Sequence, residues 1–477
     1  MSLKQQAKAG FFWTFLQQFG TQIISFIVSI YLARLLQPSD FGTIAMFAIL
    51  LGIASTLAES GLTASLIRSD NVDERDLSTV FWFNLGVSCL LYVLIFFAAP
   101  LVALFFEVDI LTPIIRVYCL ILIIQAFASV QRTRFIKDMD FRTSFKIQLP
   151  SLIIGGICGV LMAYNGFGIW TLVYYPIIQI SLSTIQFWLY SRWRPSFLFD
   201  MKKFKYHFNF GSRMALSGLL DIGFQNIYTI IIGKFYSPAQ LGFYNRADSL
   251  KQLPVSNLSA ALNNVTFPLF SKIKDNDLKL RETYRKLMKV VIFVIAPVLC
   301  LMMVVAEPLI RFLLTDKWLP AVPFLQILAI AGILYPVHAY NLNVLKVKGR
   351  SDLFLMLEVI KKTIMVVVVL VSLQFGLMGL VWGQVVFSVL AFFVNTHYTG
   401  KILNYGAFRQ ALDLMPTLFV TGLVAFVFYT IDEMFLKTSG DVLRLFALSA
   451  GYLIVFLLVT KLLKFSELQD IKDLLKK

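Results

Sequence analysis

Apolar residues run along this chain in long stretches that are separated by short polar segments. A stretch of about twenty apolar residues is long enough to cross roughly 30 Å of hydrocarbon as a helix. Because lipid offers the backbone no hydrogen-bond partners, each stretch is predicted to be an α-helix. The pattern predicts about fourteen spans, at residues 11–35, 41–67, 78–106, 111–131, 147–164, 168–190, 208–233, 241–268, 289–314, 320–344, 353–374, 377–398, 415–435 and 442–463.

Composition agrees with this pattern. The 477 residues are 58% hydrophobic and 15% charged, whereas soluble domains average about 45–50% apolar and 25% charged residues. The first stretch, from Phe11 to Leu36, is too long for a signal-peptide core and has no small-residue cleavage site, so we expect it to remain as a transmembrane helix. The predicted fold class is therefore an all-α polytopic membrane protein.

The distribution of charge predicts the orientation. The formal net charge is +16, but the basic residues cluster in short segments between spans, which argues against nucleic acid as a partner. Five bases lie in residues 132–146, the next loop at Asn165 and Gly166 is uncharged, and residues 192–205 are basic again. Since basic loops stay in the cytoplasm, both termini are predicted to be cytoplasmic and the number of spans even.

Motifs for catalysis, metals and nucleotides are missing from the sequence. Cys89, Cys119, Cys158 and Cys300 lie inside apolar spans without CxxC spacing, so they are predicted to be packing residues, with a disulfide as the minor alternative. The three histidines lack metal-ligand spacing, and no phosphate-binding loop of the ATPase type occurs. We therefore expect no catalytic site, metal or cofactor, and no direct use of ATP.

The chain contains an internal repeat of about 200 residues. Residues 34–42 match residues 234–242 at an offset of 200, with a base, a proline and a glycine at the same spacing. Three later matches, at Pro100 and Pro308, Arg142 and Arg350, and Gly168 and Gly376, share an offset of 208. The repeat predicts two parallel six-helix lobes, at 1–200 and 201–400, an arrangement found in transporters. Residues 401–477 then hold two additional transmembrane helices and a cytoplasmic amphipathic tail.

Polar residues follow one face of the seventh span. A residue in a helix lies on the same face as those three or four positions away, and this spacing joins Arg213, Ser217, Asp221, Gln225 and Tyr228. The repeat-related positions of the first helix are Trp13, Gln17, Thr21, Ser25 and Val28, which are polar in the middle but uncharged. Two explanations stay open: a shared central cavity, or hydrogen bonding between packed helices.

Charged residues at membrane depth are costly and are functional candidates. The eighth span contains Arg246, Asp248 and Lys251, and the eleventh contains Glu358, Lys361 and Lys362. Acid and base are three or four residues apart in each set, so they either neutralise one another or line a cavity. Glu59, the lone acid in the membrane region of the first half, is either a proton site or a satisfied polar contact.

The motifs also resemble a known family. Residues 12–42, 132–141 and 231–244 are similar to the Wzx-type polysaccharide flippases, especially the colanic-acid-exporter-like branch, of the multidrug/oligosaccharidyl-lipid/polysaccharide exporter superfamily. The resemblance implies transport of an undecaprenyl-pyrophosphate-linked oligosaccharide from the cytoplasmic to the periplasmic leaflet of a bacterial inner membrane, for lipopolysaccharide, exopolysaccharide or O-antigen synthesis. Membrane lipid and the polysaccharide polymerase machinery are the partners it suggests.

Residue by residue, the resemblance implies cationic cavity lining at Arg213, Arg246 and Lys251. Their repeat-related positions, Trp13, Met46 and Leu51, are uncharged, which argues against a symmetric charge clamp. Asp221, Gln225, Glu59, Gln17, Thr21, Lys361 and Lys362 are further candidates for cavity lining or ion coupling. A cation-coupled drug antiporter of the same superfamily is the alternative, and a membrane glycosyltransferase or polymerase is disfavoured because the outer segments are too short.

Overall fold

The computed structural model describes residues 3–59 and 61–475; side chains are described except at 3–12, 14–15, 213–214, 217, 220, 260–265 and 474–475. Within this part the chain folds into helices. The first ten are α1 Leu3–Leu35, α2 Pro38–Glu59, α3 Leu62–Arg68, α4 Glu74–Phe106, α5 Leu111–Tyr118, α6 Leu120–Lys137, α7 Phe141–Tyr164, α8 Trp170–Tyr190, α9 Met201–Gln225 and α10 Ile227–Phe235. The others are α11 Pro238–Lys272, α12 Asp277–Val304, α13 Ala306–Leu314, α14 Val322–Ile333, α15 Tyr335–Val347, α16 Ser351–Leu373, α17 Gly376–Leu403, α18 Ala407–Ile431, α19 Asp441–Leu462 and α20 Ser466–Leu475.

Eleven helical segments of the described chain are long and apolar enough to cross a membrane: 16–35, 38–59, 74–106, 111–137, 141–164, 170–190, 277–304, 316–347, 376–403, 407–436 and 441–462. This confirms the predicted all-helical polytopic class. The three other predicted spans, 208–233, 241–268 and 353–374, fold as α9 with α10, α11 and α16. These helices carry the intramembrane polar and charged residues, which lower their hydropathy, so the number fourteen stays a prediction.

The predicted span 41–67 is wrong as a single helix. Helix α2 ends at Glu59, and α3 starts at Leu62 after Gly61, whose φ of 64° is in the left-handed region. A Cβ atom at Gly61 would lie 2.5 Å from the carbonyl oxygen of Gly211 in α9, so only glycine fits this turn. Glu59 is therefore the last residue of a spanning helix and not a residue in its middle.

The chain divides into two compact units, Met1–Gly242 and Phe243–Lys477. Helix α9 contacts α2, α3 and α4 of the first unit, and α10 contacts α2 and α4. The repeat placed its boundary earlier, between residues 200 and 201. The segments 1–200 and 201–400 were placed by sequence similarity, and 401–477 lies outside the repeat. This division of the chain stays a prediction.

Both copies of the repeat motifs lie at the same places in their helices. Pro38 is the first residue of α2, and Pro238 is the first residue of α11. Gly168 and Gly376 both have positive φ angles, 53° and 73°, immediately before or at the start of a long helix. Matching backbone conformations at matching positions support the sequence repeat as a structural one.

The four cysteines are free, in agreement with the predicted packing role. The tail is the predicted amphipathic helix, since Leu468 and Ile471 of α20 pack against a cluster built around buried Tyr452 and Phe456. Lys289 of α12 bonds Glu467 at 2.8 Å and fixes this helix to the second unit.

An ion network at the end of α13 attaches the last two spanning helices to the second unit. Arg444 of α19 is 1% exposed, and its Nε and Nη2 atoms donate to Asp432 at 2.9 and 2.7 Å. Arg311 of α13 bonds Glu307 at 2.8 Å and Asp441 at 3.2 Å. Charges buried in this way are stable only because each has a partner.

Candidate functional site

The two copies of the first repeat motif meet each other in the first compact unit. A Cβ atom on Gly42 would lie 1.7 Å from the carbonyl oxygen of Pro238, and one on Gly242 would lie 2.0 Å from that of Pro38. Any side chain at either glycine would force the starts of α2 and α11 apart. The motif that revealed the repeat is therefore also the point where its copies touch.

Glu59 has a basic partner. Its Oε1 atom lies 3.1 Å from Nη2 of Arg132 in α6, and both side chains are a little under half exposed. The sequence had placed Arg132 in a basic loop, but α6 continues to Lys137 and carries it to the end of α2. A partly exposed pair of this kind is weak, worth about 0–1 kcal/mol, so it can open at little cost.

A small polar pocket lies beside Glu59. It encloses about 10 Å³, room for about one water-sized particle. Asn84 and Ser88 of α4 are each 1% exposed, and the Asn84 Oδ1 and Ser88 Oγ atoms have no hydrogen-bond partner among the described residues. Asn84 donates through Nδ2 to Ser129 at 3.4 Å. Buried oxygens without partners are costly, so this pocket suits a water molecule or a small cation.

The polar face of the seventh span is described only in part. The side chains of Arg213 and Ser217 lie outside the described residues. Asp221 and Gln225 are exposed in α9, which ends before Asn226, and Tyr228 lies in the next helix, α10. Tyr228 is buried, and its hydroxyl has no hydrogen-bond partner in the described chain.

The matching face of α1 is satisfied locally at one position. The Thr21 hydroxyl donates to the Gln17 carbonyl at 2.6 Å, which is a bond within the helix itself. Hydroxyls in helices often bond the carbonyl four residues back. Thr21 therefore needs no partner from another helix, and the Gln17 side chain is half-buried.

A buried histidine fixes the start of α9. His207 Nε2 lies 3.1 Å from Asp76 Oδ1, and its Nδ1 lies 2.8 Å from the Ser65 hydroxyl. Lys203 also bonds Asp76, at 2.9 Å. Burial lowers the pKa of His207, which precedes the predicted span, while the Asp76 carboxylate opposes that shift. The neutral imidazole satisfies both contacts, since one nitrogen donates to the carboxylate and the other accepts from serine.

In the second unit, the predicted pair in α11 forms. Lys251 Nζ lies 2.6 Å from Asp248 Oδ1, and the lysine side chain is 12% exposed. Arg246 stacks its guanidinium 5.3 Å from the ring centroid of Trp318, a cation–π contact. Two of the three predicted cavity cations thus have different surroundings: Lys251 lies beside an acid, and Arg246 lies over an aromatic ring.

The predicted pair in α16 also forms, between Lys361 Nζ and Glu358 Oε1 at 2.5 Å. Lys362, next along the helix, has a contact of its own. His338 of α15 lies 3.4 Å from Ser388 Oγ and 3.3 Å from Asn395 Nδ2. The second unit therefore holds its intramembrane charges mostly as acid–base pairs.

Sequence reasoning missed the Arg132 partner of Glu59 and the polar pocket next to it. The signal was present, because Asn84 and Ser88, and likewise Gln125 and Ser129, are four residues apart and so share a helix face. Single small polar residues are common in apolar helices, which hides such a pattern until the helices are placed together.

Comparison with known proteins identifies the family. Residues 31–323, more than half of the chain, match the family described as polysaccharide biosynthesis protein. The chain belongs to this family. The resemblance to Wzx-type polysaccharide flippases, drawn from the repeat motifs, is thereby confirmed at the family level.

Two relatives of this polysaccharide biosynthesis protein cover most of its length. It is 28% identical over 470 residues to the teichuronic acid biosynthesis protein TuaB of Bacillus subtilis (strain 168), which covers 96% of each chain. It is 24% identical over 401 residues to the lipopolysaccharide biosynthesis protein WzxC of Escherichia coli (strain K12), which covers 83% of this chain and 82% of WzxC.

A solved structure shows the fold. The lipid II flippase MurJ, in an inward closed conformation, superposes with a TM-score of 0.71 at 12% identity, covering 94% of this chain and 98% of MurJ. At that identity the likeness concerns the fold alone. It shows that this family member shares the fold of that helical membrane protein.

Proposed function

We propose that this protein moves an undecaprenyl-pyrophosphate-linked oligosaccharide from the cytoplasmic to the outer leaflet by alternating access, without catalysing a covalent step. The observation that carries the proposal is the presence of Arg246 and Lys251 within α11, in a polysaccharide biosynthesis protein with the fold of a lipid II flippase. A pyrophosphate can leave water only where fixed cations replace its hydration, and charged hydrogen bonds contribute about 1.5–3 kcal/mol each.

The headgroup would bind to the cations of α11, and Arg213 of α9 stays a third candidate from the family resemblance. Arg246 is the stronger candidate, because a planar guanidinium can bind a phosphate through two parallel hydrogen bonds, whereas an ammonium acts as a point charge. Lys251 must share its charge with Asp248 at 2.6 Å. Asp221, Gln225, Gln17, Thr21, Lys361 and Lys362 are then the polar residues that we assign to sugars or to coupling.

Apolar clefts of the second unit suit the lipid tail. One cleft of about 390 Å³ lies among α12, α14, α17 and α18, and another of about 550 Å³ lies between α16 and α17. Trp382 of α17 lines both. Clefts of this size and polarity bury long apolar ligands, so a polyprenyl chain can lie along this surface while its headgroup moves.

Transport would be coupled to an ion at Glu59. A proton on Glu59, or a small cation in the adjoining pocket, would compete with Arg132 for the carboxylate and would satisfy the orphan oxygens of Asn84 and Ser88. The weak Glu59–Arg132 pair suits such competition, because little free energy is needed to open it.

The proposed setting is the bacterial inner membrane, with both termini cytoplasmic. Basic loops at residues 132–146 and 192–205 support this orientation. The transported glycan would pass to the polysaccharide polymerase machinery on the outer face. Single-cysteine labelling from outside should reach Asn165 and not Arg194; strong labelling at Arg194 in sealed cells contradicts the orientation.

A binding experiment tests the substrate. The purified protein should bind a pyrophosphoryl-linked sugar lipid and show little affinity for a cationic dye, and Arg246→Ala should weaken lipid binding by about tenfold or more. The ion pairs Asp248–Lys251 and Glu358–Lys361 neutralise two lysines of the membrane region, so the same experiment also tests the drug antiporter. Preferential binding of the dye would establish the antiporter instead.

A second experiment tests coupling. Glu59→Gln should remove the dependence of export on the ion gradient, while Glu107→Gln is the matched control, since Glu107 is also an exposed acid paired with a base, Lys234, at 2.7 Å. If export depends on the ion gradient to the same extent in both variants and in the unaltered protein, Glu59 is excluded as the coupling residue.

A further inference from the structure

A basic pocket lies on the second unit, away from the residues assigned to transport. It has a volume of about 480 Å³ and is lined by the start of α12, the turn after α17 and the start of α18. Three arginines line it: Arg281, Arg285 and Arg409. Its lining is the most polar of the described clefts, so its ligand differs from the apolar chain proposed above.

One of the three arginines is already neutralised. Arg285 donates twice to Asp413, through Nε and Nη2, at 2.6 Å each. The Tyr405 hydroxyl donates to the same carboxylate. Asp413 is therefore saturated, and the fork it forms with Arg285 acts as a rigid wall of the pocket.

The other two arginines lack such partners. Within the described residues, Arg281 and Arg409 make neither an ion pair nor a hydrogen bond. Glu282 is the remaining acid of the lining, so the pocket retains a positive surplus. Guanidinium groups that converge on a cleft without carboxylate partners are suited to a phosphate, which they bind through parallel hydrogen bonds.

The pocket lies at the predicted membrane surface. Arg281 and Arg285 immediately precede the predicted span 289–314, and Arg409 and Asp413 lie just before the span 415–435. Both segments belong to basic loops, which are predicted to be cytoplasmic. Basic pockets between helices at this level are where anionic lipid headgroups bind.

An exposed apolar stripe leads from the pocket along α18. Leu412 lines the pocket, and Phe408, Leu412, Met415 and Phe419 follow at helical spacing on one face. Their exposed fractions are 75%, 54%, 56% and 67%. A ligand with a charged head and apolar chains matches this surface, whereas a free anion would use only its basic end.

We propose that this pocket binds the phosphodiester headgroup of an anionic phospholipid of the cytoplasmic leaflet, with its acyl chains along the α18 stripe. Arg281 and Arg409 hold the phosphate, and the Arg285–Asp413 fork sets the width of the pocket. The lipid is a permanent neighbour and not the transported substrate, so the proposal rests on the proposed orientation and not on the transport activity. It would stabilise the junction of α12, α17 and α18 by ligand linkage.

Lipid binding to the full chain in detergent tests the proposal. Native mass spectrometry and thermal unfolding should show that phosphatidylglycerol binds and stabilises, whereas phosphatidylcholine at equal concentration does not. Arg281→Ala/Arg409→Ala should weaken phosphatidylglycerol binding by about tenfold or more. Arg281→Lys/Arg409→Lys should retain part of it, because charge remains but the planar fork is lost.

Controls separate the lipid from other ligands. Arg192→Ala removes an exposed base of the first unit and should leave binding unchanged. Phe408→Ser should weaken phosphatidylglycerol binding and leave inorganic pyrophosphate binding unaffected. Three results would each overturn the lipid site. The first is equal stabilisation by phosphatidylcholine, and the second is competition by pyrophosphate at equal concentration. The third is unchanged binding by the double alanine variant when its lipid-free melting temperature is also unchanged. If the double alanine variant does not fold, the lysine variant and Phe408→Ser decide the question.

Discussion

Lys251 either binds substrate or only neutralises Asp248, and a double-mutant cycle separates the two roles. The Lys251 ammonium lies 2.6 Å from the Asp248 carboxylate, and their side chains are 12% and 37% exposed. Lys251→Ala removes one cation and leaves one acid beside the proposed headgroup. Asp248→Asn removes the acid and leaves the cation, and the double variant removes both charges.

The expected magnitude follows from the contacts. If Lys251 donates a charged hydrogen bond to the pyrophosphate, its loss costs about 1.5–3 kcal/mol, which is roughly a tenfold to 150-fold loss of affinity. Adding Asp248→Asn should then fail to restore binding. If Lys251 only neutralises Asp248, the double variant should recover, because no unpaired charge is left at membrane depth.

The assay has two readouts, polymer export at matched membrane abundance and binding of pyrophosphoryl-linked sugar lipid to the purified protein. Lys437→Ala is the control, since Lys437 pairs with Glu433 at 2.6 Å but is exposed, and we expect it to change binding by less than about twofold. Export and affinity that recover in the double variant refute a substrate contact for Lys251. Arg246→Lys should keep part of the export and binding that Arg246→Ala loses. Export at the wild-type level by all the alanine variants, including Arg213→Ala, would refute the cationic site.

Three further predictions concern the fold. Gly42→Ala should slow export and increase outside labelling nearby, because a Cβ atom there cannot coexist with the observed contact. Gly86→Ala is the control and should be neutral, because the added atom meets nothing within 4 Å. Equal export by both variants contradicts the contact. Arg444→Ala should lower stability by about 3–5 kcal/mol in a detergent melting assay, and Arg444→Met/Asp432→Leu should recover most of it; no loss in the single variant refutes the buried pair. Burial lowers the pKa of His207 in the folded protein, so the neutral imidazole should stabilise the fold fully above about pH 6.5 and less as the pH falls below that value. His207→Gln should therefore flatten the dependence of melting temperature on pH. An unchanged slope in this variant refutes the role of His207.

The sequence alone determined the features that depend on local spacing. Length and hydropathy predicted the helices, because crossing hydrocarbon requires a run of apolar residues whatever lies around it. The pairs Asp248–Lys251 and Glu358–Lys361 were predictable because residues three or four apart on a helix are neighbours. The repeat was visible since proline and glycine mark helix starts and close approaches directly in the sequence.

The tertiary structure decided what depends on residues far apart in sequence. Arg132 lies 73 positions from Glu59 in the sequence. Gly61, at the turn that follows α2, contacts Gly211, which is even more distant in the sequence. No local period carries such information, because it depends on how the helices pack. The same holds for the basic pocket, where only the saturation of Asp413 by Arg285 and Tyr405 leaves Arg281 and Arg409 to bind a ligand. Charges that sequence reasoning counts as equal become different once folding decides which of them are paired.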